Sequence, residues 1–342
     1  MIVNLVSGKS NNHLSSNPKS RISFRGKVAD EFIKANQAAV QKPKKQSFFS
    51  KYMSMPSATL IPAGIFIGVT INDYIKLIKD KISTVKYLKR LGIATALTFG
   101  SIIGLSAFFL NKSNKNFTKA ETFFNENNTT SAKLVKNNVN EDYIGAQYDP
   151  VTGEISINKQ YLGDPLLKTK MKYLLKHELI HAKQFETIAR MDDGIEKLNY
   201  SCMKQLSNTY KNKPLFKNAI DTIYNELVAE PTHKYDNVEV TVSGYKLPFK
   251  KWTIAMHRLM NDKVKTYKDI PMLINKEHYE TVRQKLGKLS TEEEKLANKY
   301  YEAHLKYKTP SAIDVLNPWS DYYNNILEKE AYAVMPLWAR YF

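Results

Sequence analysis

Two histidines four residues apart with a glutamate between them, His177-Glu178-Leu179-Ile180-His181, carry the most specific chemistry in the chain. On a helix, residues i and i+4 lie one turn apart on the same face, so both imidazoles can reach one divalent cation. Glu178, beside the first of them, is then placed to take a proton from an activated water. The 342 residues include seven histidines, so this spacing is uncommon by chance, and it has chemical meaning only on a helix. Asp164-Pro165 has the residue types of an N-cap and a first helical position, and no Pro or Gly interrupts the residues up to Ala189. Met171, Leu174, Leu175, Ala182 and Phe185 repeat at the helical period. Glu178 falls inside that apolar stripe, with His181 and His177 along its edge. An acid on a buried face is costly unless something compensates it, and a bound cation would.

A catalytic zinc site takes three protein ligands and leaves a fourth position for water. AKQFETIAR follows His181, with no third histidine, so the remaining ligand is expected to be an acid from a distant helix. The C-terminal segment NPWSDYYNNILEKEAYAVMPLWARYF reads as one helix from Asn317-Pro318 to Pro336. Leu327, Glu330, Ala331 and Val334 share a face of it, which makes Glu330 the preferred ligand. Glu328 points roughly 200 degrees away on the same wheel and reads as solvated. Glu226 and Glu230 are the rivals, but Glu226 projects off the apolar side set by Ile220, Ile223 and Leu227, and Pro231 cuts Glu230 off.

The HELIH motif, the strand before it and the acidic C-terminal helix together resemble the zincin superfamily of metallopeptidases. The lack of an H-E-x-x-H-x-x-G-x-x-H continuation points away from the metzincin branch and toward a gluzincin-like arrangement. Glu330-Ala331-Tyr332-Ala333 is similar to the acid-then-small pattern of the gluzincin ligand helix. Asn225-Glu226-Leu227-Val228-Ala229-Glu230 is similar to the Asn-Glu-x-x-x-acid pattern of thermolysin-like enzymes. The resemblance implies an α+β, predominantly helical fold with a small edge sheet packed on the motif helix. It also implies Zn2+ held by His177, His181 and Glu330, and cleavage of a peptide or protein substrate, with Glu178 as general base toward a zinc-activated water. An oxyanion stabiliser is expected, and Tyr332, Tyr323 and His233 are open candidates. The alternative is a zinc-binding or membrane-anchored interaction domain without turnover, which has no use for an acid at Glu178.

The elements that must position these groups begin with a hairpin. Tyr143 to Tyr148 and Glu154 to Asn158 read as strands joined by Asp149-Pro150-Val151-Thr152-Gly153, with Ile155 and Ile157 inward and Glu154, Ser156 and Asn158 outward. An extended substrate can add to such an edge. Residues 195 to 310 read as a mostly helical insertion, broken by a strand at Val238, Val240 and Val242. Ser290 and Glu293 form a capping box there. Trp252, His257, Tyr300, Tyr301 and His304 read as packing and surface residues. Cys202 is the one cysteine, which excludes an internal disulfide and a cysteine zinc site.

The formal charge of +18 rests on dispersed lysines with no arginine-rich block and no nucleic-acid-binding motif, so no nucleic-acid partner is expected. Residues 1 to 56 read as a basic, largely disordered segment without the apolar core of a signal peptide. Residues 57 to 110 read as membrane-associated. Gly92 to Leu110 carries no charge over nineteen residues, enough to cross a bilayer, and a weaker apolar helix spans 58 to 76 with Pro62 inside it. Lys76, Lys79, Lys81, Lys86, Lys89 and Arg90 lie between them. Whether one helix spans or both, the positive-inside bias puts the following domain on the extracytoplasmic side. Residues 111 to 140 read as a polar linker with room for a short helix around Lys119 to Asn125, and 141 to 342 as the catalytic domain.

Overall fold

The computed structural model describes residues 27–35, 56–137, 145–231, 233–242, 245–268, 270–308, 314, 317 and 320–340. The expected strand start at Tyr143 and the cap at Pro318 lie outside them, as does most of the segment 1 to 56. Within that segment, 27–35 form a helix, α1, in place of the expected disorder. Phe32 explains it, because its ring packs against Phe216, Phe249 and Trp252.

The chain divides into two compact units, one built from Met1–Pro43, Asp149–Gly153 and His181–Glu330, the other from Lys44–Tyr148, Glu154–Ile180 and Ala331–Phe342. The second unit contains two long apolar helices, α2 (Pro56–Ile78) and α3 (Thr84–Asn127), packed side by side. Both are long and apolar enough to cross a membrane. Leu60, Ile61, Ile65, Ile67, Ile93, Leu97 and Phe99 are exposed on their outer faces. At the turn between them Arg90 Nη1 lies 3.1 Å from Asp73 Oδ1, on a carboxylate that is itself buried.

The expected linker from 111 to 140 is mostly helix. α3 runs unbroken to Asn127, because no Pro or Gly follows Gly104 and one face keeps burying Ser113, Ala120 and Phe124. The polar composition reflects the remaining, solvated faces.

The short α4 (Lys159–Gly163) lies against α3. A side chain at Gly163 would collide with the Phe109 carbonyl, and Asn116 Nδ2 donates to Leu162 O at 2.6 Å. Asp164 does cap a helix with Pro165 at its first position, but that helix is the one-turn α5 (Pro165–Lys168). The motif helix α6 (Met171–Ala189) starts afresh after Thr169-Lys170. Asp164 is fully buried and accepts from Ser57 N at 2.7 Å, Ser57 Oγ at 2.6 Å and Leu166 N at 2.9 Å, tying the start of α2 to the segment leading into α6.

Strands β1 (Lys133–Asn137), β2 (Ala146–Asp149) and β3 (Glu154–Asn158) form a sheet in the order β1-β3-β2, with β1 parallel to β3. Gly153, at a φ of 74°, closes the turn from β2 to β3, and a turn this short leaves those strands antiparallel. Ile155 and Ile157 are fully buried as expected, but Asn158 is buried too.

In the first unit, α7 (Gly194–Lys211) and α8 (Pro214–Ala229) pack with the hairpin β4 (Glu239–Val242) and β5 (Tyr245–Pro248), then α9 (Phe249–Met260), α10 (Lys276–Leu286) and α11 (Thr291–Leu305). The capping box of Ser290 and Glu293 opens α11.

The expected single helix up to Pro336 is two short ones, α12 (Asp321–Asn324) and α13 (Ile326–Ala333), and a third, α14 (Leu337–Arg340), follows Pro336. Asn325 breaks it in an extended conformation, accepting from Leu327 N at 3.0 Å and donating to Ala303 O at 3.2 Å. That break resets which residues face inward. Leu327, Glu328, Ala331 and Met335 are buried, whereas Val334 is exposed.

Because Asp164 satisfies several donors without water, Asp164→Ala is expected to lower stability by about 1–3 kcal/mol. Thermal unfolding of the detergent-solubilised protein measures the loss, and Asp164→Asn, which keeps an acceptor, should lose less.

Candidate metal centre

The motif helix forms where the sequence predicts it, with Met171, Leu175, Leu179, Ala182, Phe185 and Ile188 buried. His177 and Glu178 are buried on this helix at 6 % and 7 % exposure. α6 runs unbroken through the division between the two units, so helix geometry alone fixes His177 one turn from His181.

The acid that faces His181 is Glu328. His181 Nε2 and Glu328 Oε2 are 3.7 Å apart, and His177 lies one helix turn from His181. Ligands at 2.0–2.1 Å around a tetrahedral zinc stand about 3.4 Å apart, so the His181–Glu328 pair needs only slight closure. Two imidazoles and one carboxylate are the donor types such a centre uses, and the residues present fit the ion. Glu328 is 4 % exposed, and Tyr307 OH donates to its Oε1 at 3.0 Å, which turns Oε2 toward the imidazole.

Glu330, the preferred ligand from sequence, is occupied elsewhere. Its Oε2 accepts from Gln184 Nε2 at 3.0 Å and from Tyr300 OH at 2.7 Å. The cause is the helix break at Asn325, which starts α13 afresh and buries Glu328 beside Leu327. Gln184, 1 % exposed, also donates to Leu327 O at 3.1 Å, and its Oε1 lies 3.0 Å from His181 Nδ1.

Glu178 Oε2 accepts from the Tyr148 backbone N–H of β2 at 2.7 Å. Asn158 N donates to Gly145 O, and Ser156 Oγ to Gln147 O. Alternation along a strand therefore directs the Tyr148 backbone to the opposite edge, where the motif helix lies.

Of the three oxyanion candidates, Tyr332 stands edge-on to the His177 ring at a centroid distance of 4.5 Å. Tyr323 lies on α12 against the Tyr322 ring. His233 is 98 % exposed and bonded to Asp236 at 2.6 Å. Glu226 takes a hydrogen bond from Tyr235 OH at 3.4 Å and Glu230 is an exposed C-cap, so neither belongs to the cluster.

Burial, with the neighbouring His181 adding to it, pushes the His304 imidazole down to about 4, and its Nδ1 lies 2.8 Å from Ser201 Oγ. Burial and the Glu330 carboxylate push the Tyr300 hydroxyl up, which keeps it a donor. Burial likewise raises the Cys202 thiol, so it is no nucleophile. The sequence reading set Glu328 aside as solvated, took Tyr300 for a packing or surface residue, and did not single out Tyr307 or Gln184. Only Gln184 carried a local signal, as an amide set between Ala182 and Phe185 on the apolar face.

Comparison of the chain with protein-family models, with curated proteins and with solved structures gives no match.

Two outcomes follow from the geometry. Glu328→Ala and His181→Ala should lose most bound zinc while Glu226→Ala keeps it, measured as metal content after zinc-replete purification. The neutral His304 makes the unfolded chain bind more protons between about pH 6.5 and about 4, so stability should fall as pH drops through that window. Unfolding midpoints against pH test this, and His304→Gln should flatten the acid limb.

Proposed function

We propose that this chain is a membrane-anchored zinc metallopeptidase of the hydrolase class, acting as an endopeptidase. The observation that carries the reading is Glu328 facing His181 at 3.7 Å, with Glu178 and His177 on the preceding turn of the same helix. Zinc in such a site acts as a Lewis acid toward the scissile carbonyl and makes water a nucleophile near neutral pH.

The residues of the chain supply the rest. Glu178 takes the proton from the attacking water and returns it to the leaving amine. The Tyr148 N–H holds one carboxylate oxygen, so the base keeps its direction as the proton moves. β2 is a terminal strand of its sheet, and an extended peptide adding to that edge would meet the carboxylate there. Tyr332, beside His177, is the best placed of the candidate oxyanion donors.

α2 and α3 serve as a spanning hairpin. The cations Lys76, Lys79, Lys81, Lys86, Lys89 and Arg90 gather at its connecting end, and the Ser57–Asp164 bonds lie at the other. The positive-inside bias then puts the connecting end in the cytoplasm and the motif helix outside.

Glu178→Gln should keep its zinc and lose peptide turnover by 100-fold or more, on the order of what general-base removal costs. A peptide library incubated with both proteins, with zinc content measured in parallel, reads this out. Equal cleavage by the two removes Glu178 from catalysis.

A further inference from the structure

We infer that Gln184 and Glu330, with Tyr300 behind them, are positioning residues that set the tautomer and the direction of the His181 ring. The inference rests on the metal-centre reading and assigns a task to three residues outside the ligand set.

The chemistry of the three hydrogen bonds fixes the amide. One end of Gln184 faces the Leu327 carbonyl at 3.1 Å and the Glu330 carboxylate at 3.0 Å, and both of these groups only accept. The end that meets them must therefore be the NH2. The opposite end, 3.0 Å from His181 Nδ1, must be the oxygen. An amide oxygen cannot donate, so the proton of the neutral ring sits on Nδ1. That leaves the lone pair on Nε2, the atom 3.7 Å from Glu328 and the one a cation would meet.

Remove the amide and nothing in this chain of bonds distinguishes the two tautomers. Glu330 extends the control by one more residue. A carboxylate accepts without competing as a donor, so it holds Gln184 in the one orientation that presents oxygen to the imidazole. Tyr300 OH, 2.7 Å from the same Glu330 oxygen, fixes the carboxylate in turn. Gln184 is 1 % exposed, so water has little access to replace any of these bonds. Partners of this kind raise the basicity of a ligating histidine and orient it, and losing one weakens metal binding 10–100-fold.

The test is zinc affinity of the full chain in detergent, by competition with a chromophoric chelator, alongside the visible spectrum of the cobalt(II) form. Gln184→Leu and Glu330→Ala should each bind zinc 10–100-fold more weakly and alter the cobalt bands, where removal of a direct ligand would abolish occupancy. Gln184→Glu should also be impaired, because its second oxygen faces two acceptors.

The decisive variant is the exchange Gln184→Glu with Glu330→Gln. It returns an oxygen to His181 Nδ1 and an NH2–carboxylate bond between the two positions, but it leaves the second oxygen at position 184 against the Leu327 carbonyl, so it should recover part of the affinity that Gln184→Glu alone loses. A residue that only glued helices would show the losses as lowered unfolding temperature of the metal-free protein, with wild-type affinity in whatever folds. Wild-type affinity and spectra in Gln184→Leu, or an exchange no better than Gln184→Glu, overturns the inference. Glu328→Ala run beside them separates the two levels, since retained zinc there overturns the metal centre itself.

Discussion

Desolvation of charge is the constraint around which the first turns of α6 and the start of α13 are arranged. Glu178, Glu328 and His177 are each less than 8 % exposed, and a carboxylate taken from water costs several kcal/mol unless it is bonded. Three acids near the motif have dedicated donors: the Tyr148 N–H for Glu178, the Tyr307 hydroxyl for Glu328, and the Tyr300 hydroxyl with the Gln184 amide for Glu330. These donors are neutral, so they orient the carboxylates without cancelling their charge. Glu328 in particular keeps its charge 3.7 Å from the His181 imidazole, a pairing of the donor types that a divalent cation uses.

The motif was legible in the sequence because its logic is local. Spacing of four on a helix fixes the two imidazoles, and the apolar stripe of Met171, Leu175 and Ala182 declares the helix. Which acid stands beside His181 was not legible, because the choice between Glu328 and Glu330 depends on where a helix begins. Treating 317 to 336 as one helix gives a wheel that turns Glu328 outward. A single extended residue, Asn325, restarts the helix, and its side chain is drawn into that role partly by the Ala303 carbonyl on a distant segment. No periodicity within the C-terminal sequence contains that information.

The same distinction explains the region between the apolar helices and the His177–His181 motif. Composition read 111 to 140 as a tether, since Asn, Lys and Thr are poor core residues. Yet a helix with one buried face needs only every third or fourth residue to pack, and Ser113, Ala120 and Phe124 meet that requirement. Asp164 was recognised as a cap from local sequence, but its larger task, holding Ser57 more than a hundred residues away, belongs to tertiary structure alone.

A continuous α3 changes how the anchor acts. A flexible linker would let the motif helix sample a range of heights above a bilayer. Here Lys172 and Lys176 on α6 lie over the Phe123 ring at 5.7 Å and 6.0 Å, and Phe123 stands about 20 Å along the same helix from Phe109 at the end of the apolar stretch. Below, Gly163 and Asp164 clamp the segment leading into α6 to Phe109 and Ser57. With two attachments along one rigid rod, the N-terminal half of α6, His177 and Glu178 included, is held at a set distance from the apolar segment. On the proposed reading as a membrane-anchored peptidase, that geometry would select by position before it selects by sequence, because a scissile bond must first be able to stand at that height.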